Sequence, residues 1–349
     1  MKRTIRSARS ARSAMFVVGL MFALALAGLP ALQASVLAQS TPAASPVTGS
    51  GGISGAADWL VSQQAADGSF VGFSGKADAG TTVDAIMALV AAKEVGVDVG
   101  SSIDSAVGYL ASGDISLVYA QTGVGQAAKL ALGLIAAGQD PDDFANVSPL
   151  LILEHGLNAD TGFYGTGLYD TALTMLAFSA TGKEIPASVF DVLATSQADN
   201  GGWAYDGTTE AANADSNTTS MIVQALVASG QGDSELVAGG ITYLKSTIVT
   251  GGAAFNIAPG AGADANSTAL VVQGLLAAGE DATVQLEDLA AFQNADGSLY
   301  FNAETPGPNL LATVQAVPAL AKLVFPIVPG AIDAATPVAI SPHAYAHAA

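Results

Sequence analysis

Three words of one pattern hold the most regular polar residues of this chain: Asp78-Ala-Gly-Thr81-Thr82, Asp215-Ser-Asn-Thr218-Thr219 and Asp264-Ala-Asn-Ser267-Thr268. Asp170-Thr171 and Asn309 stand in the matching places of two further segments. Each word opens an apolar run. Asp, Asn, Ser and Thr accept hydrogen bonds from the free amides of a helix start, and an acid there favours the helix dipole, so one reading is capping. The other is collective: if the fold gathers these helix starts, they form a set of donors and acceptors for a polar ligand.

Residue types exclude most other chemistries. The 349 residues contain no cysteine, so disulfides and thiolate metal sites are ruled out. His155 is the one histidine in the part expected to fold, since His343 and His347 lie near the end; it takes the place of a repeat glutamine and reads as a helix-end residue. Asp140-Pro141-Asp142-Asp143 has the letters of an acid cluster but follows the helix-ending Gly138 and contains proline, so it reads as a solvated loop. Asp-Gly turns around Asp67, Asp160, Asp199 and Asp296 lack the alternating oxygens and closing Glu of an EF-hand loop and read as turns, and no metal site is expected. There is no Gly-x-Ser-x-Gly elbow.

Behind these residues lies a repeat. One half is an apolar helix ending in Gln and a Gly turn before an aromatic: Trp59 to Phe70, Leu193 to Trp203 and Leu289 to Phe301, with looser copies at Leu151 to Phe163 and Tyr243 to Phe255. The other half is the helix opened by the Asp word, and a degenerate pair, Ala106 to Leu110 then Gly125 to Gly138, fills the remaining gap. Gly138, Gly182, Gly230 and Gly279 close successive second helices at intervals of 44, 48 and 49 residues, the length of two helices and two loops. Aromatics at the turns, among them Phe70, Phe73, Phe163, Tyr164, Trp203, Tyr205, Phe255 and Tyr300, are expected to plug the hairpin ends. Strand patterns are absent. The expected fold is all-α, with about six helical hairpins.

The ends differ in composition. Lys2, Arg3, Arg6, Arg9 and Arg12 precede an apolar run from Met15 to Leu29 and a small-residue site at Val36-Leu37-Ala38, the pattern of a signal peptide over residues 1–38. The alternative is a retained anchor, because 14–32 is almost long enough to span a bilayer. Residues 39–55 read as a Ser/Pro/Gly-rich linker, 56–325 as the repeat domain and 326–349 as a flexible tail. The expected location is secreted or on the cell surface, with no membrane insertion after cleavage. Without the leader the chain keeps six lysines and no arginine against all 30 acids, a net charge of about −24. Such a surface repels nucleic acid and anionic lipid.

At Gln63-x-x-x-Asp67-Gly68-x-Phe70, Gln197-x-x-x-Gly201-Gly202-Trp203 and Gln293-x-x-Asp296-Gly297 the chain resembles the QW repeat of squalene and terpene cyclases. The same hairpin occurs in protein prenyltransferase β subunits, and the Asp-x-x-Ser/Thr-Thr word is similar to that of cobalamin-binding transport proteins. The resemblance implies an α/α toroid (α6/α6 barrel), second helices lining a central cavity and first helices outside. It further implies that a ligand would meet the rim at Asp78, Thr82, Asp170, Asp215, Asn217, Asp264 and Asn266. Prenyltransferase chemistry needs a zinc set and a basic diphosphate pocket, and neither can be built from these residues. A cyclase-type reaction would need a protonated acid, and Asp84, a turn or so inside the first such helix, is the residue to suspect. Gln224, Gln273 and Gln315 recur at one place on three second helices, two turns in, either packing hairpins together or lining the cavity. Three functions follow: a cofactor-free, non-catalytic module binding a small molecule (cobalamin-like or other) or a peptide; a class II cyclase; or a ligand-free structural domain whose cavity is packed shut.

Overall fold

The computed structural model describes residues 51–330, which lie within one compact unit, Val47–Ala349. The leader, most of the linker and the tail beyond 330 fall outside the described residues. Six hairpins follow one another. They are α1 (Gly52–Gln63) with α2 (Ala79–Glu94); α3 (Gly100–Ala111) and α4 (Ile115–Gln121) with α5 (Val124–Ala136); and α6 (Pro149–Glu154) with α7 (Leu168–Thr181). Then come α8 (Ala187–Ser196) with α9 (Ser216–Ala228), α10 (Glu235–Ser246) with α11 (Ala265–Ala277), and α12 (Thr283–Ala291) with α13 (Leu310–Leu320). The second helices form a closed circuit, each packing on the next from α2 through α5, α7, α9 and α11 to α13, which returns to α2. This is the α/α toroid. The second helices are buried nearly all round, as Ser216 to Leu226 in α9 show, whereas α8 and α12 bury only a few positions each. A helix inside a ring has neighbours on every side, so a one-sided apolar stripe is not required of it.

The repeated words cap helices and fasten turns. Asp78, Asp215, Asp264 and Asn309 cap α2, α9, α11 and α13, each accepting from the backbone N–H three residues on at 2.7 to 2.9 Å. The threonine that follows reaches back: Thr82, Thr171, Thr219, Thr268 and Thr313 accept the backbone N–H of Phe70, Tyr164, Trp203, Ala253 and Leu299 at 2.9 to 3.0 Å. Five hairpins are thus fastened by one buried hydroxyl each. The pinned residue is the plug, so of the expected aromatics Phe70, Tyr164 and Trp203 are buried, Leu299 is buried in place of Tyr300, Phe163 is only half-buried, and Phe73, Tyr205 and Phe255 stay exposed.

The glutamines at the outer-helix ends do the second joint. Gln197 Nε2 donates to Gly201 O within its own turn and to Leu236 O of the next outer helix at 2.8 and 3.0 Å. In the first hairpin this role falls to Gln64, bonded to Gly68 O and Ser102 O, and Gln63 instead donates to Ser62 Oγ. Gln293 bonds Gly297 O and Gly52 O, and its Oε1 accepts from Gly52 N, which ties the sixth hairpin to the first and closes the outer ring.

Three expectations need correction. Helix α1 begins at Gly52, inside the segment read as linker, because Gln293 captures the backbone of that residue. Residues 326–330 are not tail-like, for Ile327 is buried against the core. Two small antiparallel ribbons also occur, β1 (Phe70–Val71) with β2 (Ala77–Asp78) and β3 (Ile248–Val249) with β4 (Gly252–Ala253), at turns too short to show a strand pattern.

Candidate functional site

The ring encloses an axial cavity of about 110 Å³. Its apolar wall includes Met87, Leu132, Leu173, Met221 and Leu270 from five different inner helices. Its polar groups are Asp84 from α2, Lys129 from α5, Tyr169 from α7, and the amides of Gln273 and Gln315 from α11 and α13. Lys129 Nζ donates to Asp84 Oδ2 at 2.6 Å, with side chains 28% and 17% exposed.

Electrostatics make this an ion pair. Burial works against the Lys129 ammonium, but Asp84 and the nearby phenols outweigh it and hold the lysine above its ordinary range. Burial pushes the Asp84 carboxyl up, and Lys129 pulls against that rise by charge and by hydrogen bond. Tyr119 and Tyr169 stand in the same field, each pushed up to about 12 chiefly by burial, so both remain neutral at ordinary pH. A carboxylate bonded to an ammonium is poorly suited to protonate an alkene, because the adjacent positive charge favours its ionised form.

None of the seven expected rim residues is on the wall of this cavity. Asp78, Asp215 and Asp264 are caps, and Thr82 is a fastener. Asp170 lies inside the first turn of α7 and accepts from Thr166 N and Oγ1 at 2.9 and 2.8 Å. Asn217 is buried beside Ser216 Oγ at 3.2 Å. Asn266 comes nearest the cavity, donating to Gln315 Oε1 at 2.6 Å with its own Oδ1 buried and unpartnered. Lys129 was missed by sequence reasoning. Its signal was the one charged residue of a helix whose only other polar side chain is Gln126.

The other singled-out groups lie outside the cavity. His155 is the exposed C-cap of α6. The Asp140 to Asp143 turn is exposed except for Pro141, with Lys183 reaching Asp142 at 3.7 Å and Glu154 at 2.8 Å. No group of three or more metal-ligating side chains occurs among the described residues.

No protein-family model and no curated protein matches the chain. Solved structures do. A variant of the type II terpene cyclase MstE from Scytonema, in complex with geranylgeranyl dihydroxybenzoate, overlaps at TM-score 0.55 and 15% identity, covering 77% of this chain and 95% of that one. The fold is that of a type II terpene cyclase. A protein from Actinoplanes overlaps at TM-score 0.51 and 15% identity, over 77% of this chain and 98% of that one. Haptocorrin in complex with Cbi overlaps at only 0.47, with 15% identity over 78% of this chain and 66% of that one, too slight to carry weight. At such identities the likeness is one of fold, and function has to be argued from the site.

Burial of a cap gives one measurable consequence. Asp215 is 3% exposed, and its carboxyl is pushed up to about 6 by burial, against the pull of its bonds to Thr218. Between its unfolded value near 3.8 and about 6 the folded chain holds a proton that the unfolded chain has released, so this group's contribution to stability falls as pH rises through that window. Asp215→Asn keeps an acceptor at the cap and removes the titration. Urea unfolding at pH 4 and pH 7 should show wild type losing up to about 3 kcal/mol relative to the variant. Parallel pH profiles would disprove the assignment.

Proposed function

We propose that this protein is an exported, non-catalytic binding module built on the cyclase-type toroid, holding a small polar molecule in its axial cavity. The observation that carries the reading is the Asp84–Lys129 pair. An ammonium has three N–H donors, and among the described residues Lys129 makes a hydrogen bond only to Asp84, at the wall of an otherwise largely apolar chamber. An apolar pocket with a few convergent polar groups is the usual form of a small-molecule site. Size limits the ligand: 110 Å³ is below the roughly 150 Å³ of a cavity that takes benzene, and well below the ~300–1,000 Å³ of most ligand pockets. A corrinoid or a folded polyene needs more room than this. The same narrowness favours a second reading, a structural domain with no ligand. Export rests on the leader pattern at residues 1–38.

Native mass spectrometry of protein purified from its own host tests the proposal. A retained small-molecule adduct is expected, and it should be absent from the Asp84→Leu/Lys129→Met double variant. Bare protein mass would support the structural reading instead. Cyclic product from a polyene, abolished by Asp84→Asn, would establish catalysis and overturn the proposal.

A further inference from the structure

The chain's own C-terminal segment enters the ring beside the cavity. After α13 the backbone turns at Lys322, where φ is +57°, and enters between the inner helices. Gln273 Nε2 donates to Leu323 O at 3.0 Å, and Gln224 Oε1 accepts from Phe325 N at 2.9 Å. Both glutamines stand four residues before the ends of their helices, about 6 Å in from the mouth at which α13 ends, so the segment dips into that mouth of the ring. Phe325 lines the cavity, and Ile327 is 5% exposed. At the far side the described segment is held by one exposed hydrogen bond, Gly330 N to Glu94 Oε2 at 3.3 Å.

These contacts have the chemistry of peptide recognition. A C=O of one residue and an N–H two residues on are bound by side-chain amides that are 1% and 0% exposed, while apolar side chains of the segment take the space around them. Main-chain hydrogen bonds with anchoring side chains are how extended peptides are held. A buried glutamine amide left without a partner is costly, so both positions call for a backbone-like occupant.

We propose that this mouth of the ring is a binding site for an extended peptide of the pattern apolar-x-aromatic-Pro-apolar, and that residues 323–327 occupy it in cis. The site adjoins the Asp84–Lys129 chamber and shares Gln273 and Phe325 with its wall, but its peptide contacts do not depend on that chamber's holding a ligand. A segment in trans competes with the chain's own, so its apparent affinity is lowered by the fraction of time the site is filled.

The test uses the full chain carrying Phe325→Ala and Ile327→Ala, and a synthetic peptide of residues 322–329 followed by calorimetry. The weakened chain should bind the peptide about tenfold or more tightly than wild type, and adding Gln224→Leu with Gln273→Leu should abolish binding. A helical, folded variant that does not bind, or binding indifferent to the glutamines, overturns the proposal. If the variant does not fold, hydrogen exchange on wild type decides. A Phe325 amide that exchanges well before the amides of α9 supports an exchangeable occupant. Equal protection marks a fixed core element and refutes it.

Discussion

Replacing Lys129 by methionine is expected to cost about 2–3 kcal/mol of folding stability, less than the ~3–5 kcal/mol for breaking a fully buried pair because the two side chains are 28% and 17% exposed. Asp84 is 17% exposed at the side chain and has no other cation within bonding distance among the described residues, so loss of the ammonium leaves its charge against an apolar wall. The carboxyl can escape only by taking up a proton, which makes the loss smaller at low pH. The double variant Asp84→Leu/Lys129→Met should recover most of the stability, because replacing both charges by apolar groups of similar volume is often neutral. Urea unfolding of the two single variants and the double gives the coupling directly. If Lys129→Met unfolds within about 0.5 kcal/mol of wild type, the pair is solvated and the charged chamber on which the proposed function rests does not exist.

Gly297→Ala should be comparably severe, for a different reason. Gly297 has φ +92°, and a Cβ built there would lie 2.2 Å from the backbone oxygen of Gly55 in α1. Side chains avoid that backbone region, and the atom in the way belongs to a helix that cannot move alone. This turn also carries the Gln293 bonds that join the last hairpin to the first. Strain and separation together should cost about 3 kcal/mol. Gly279 supplies the control: its φ is +75° but nothing lies within 4 Å of a Cβ, so Gly279→Ala should cost about 1 kcal/mol for the backbone conformation alone. Thermal unfolding of the two variants separates close approach from backbone preference. Equal losses would mean that the contact with α1 is not tight.

The same contrast explains why some parts of this protein were legible and others were not. Capping, turn glycines and hairpin spacing are local, and each is set by residues within a few positions of one another. Asp78 and Thr81, or Gln197 and Gly201, meet whatever the rest of the chain does. Sequence therefore disclosed six hairpins, and the toroid came from the resemblance of their repeats to those of the cyclases. It also suggested a ligand-binding rim from the same words, and the structure shows four of those seven residues occupied in holding helix starts and turns together.

Gln224, Gln273 and Gln315 show the limit from the other side. The first two stand nine residues after their caps and hold the C-terminal segment, whereas Gln315 stands six after Asn309, nearer the rim, and pairs with Asn266. Nothing in the neighbouring residues foretold that partner 101 positions away for Gln224, or the meeting of Asp84 with Lys129 across 45. By itself the sequence determined the repeat, its caps and the chemistries its residue types exclude, because those depend on short-range geometry and composition. Only the tertiary structure decided what the ring contains, because closing six hairpins into a circuit brings side chains from helices remote in sequence onto one axis, and which of them share the enclosed space is a property of the closure.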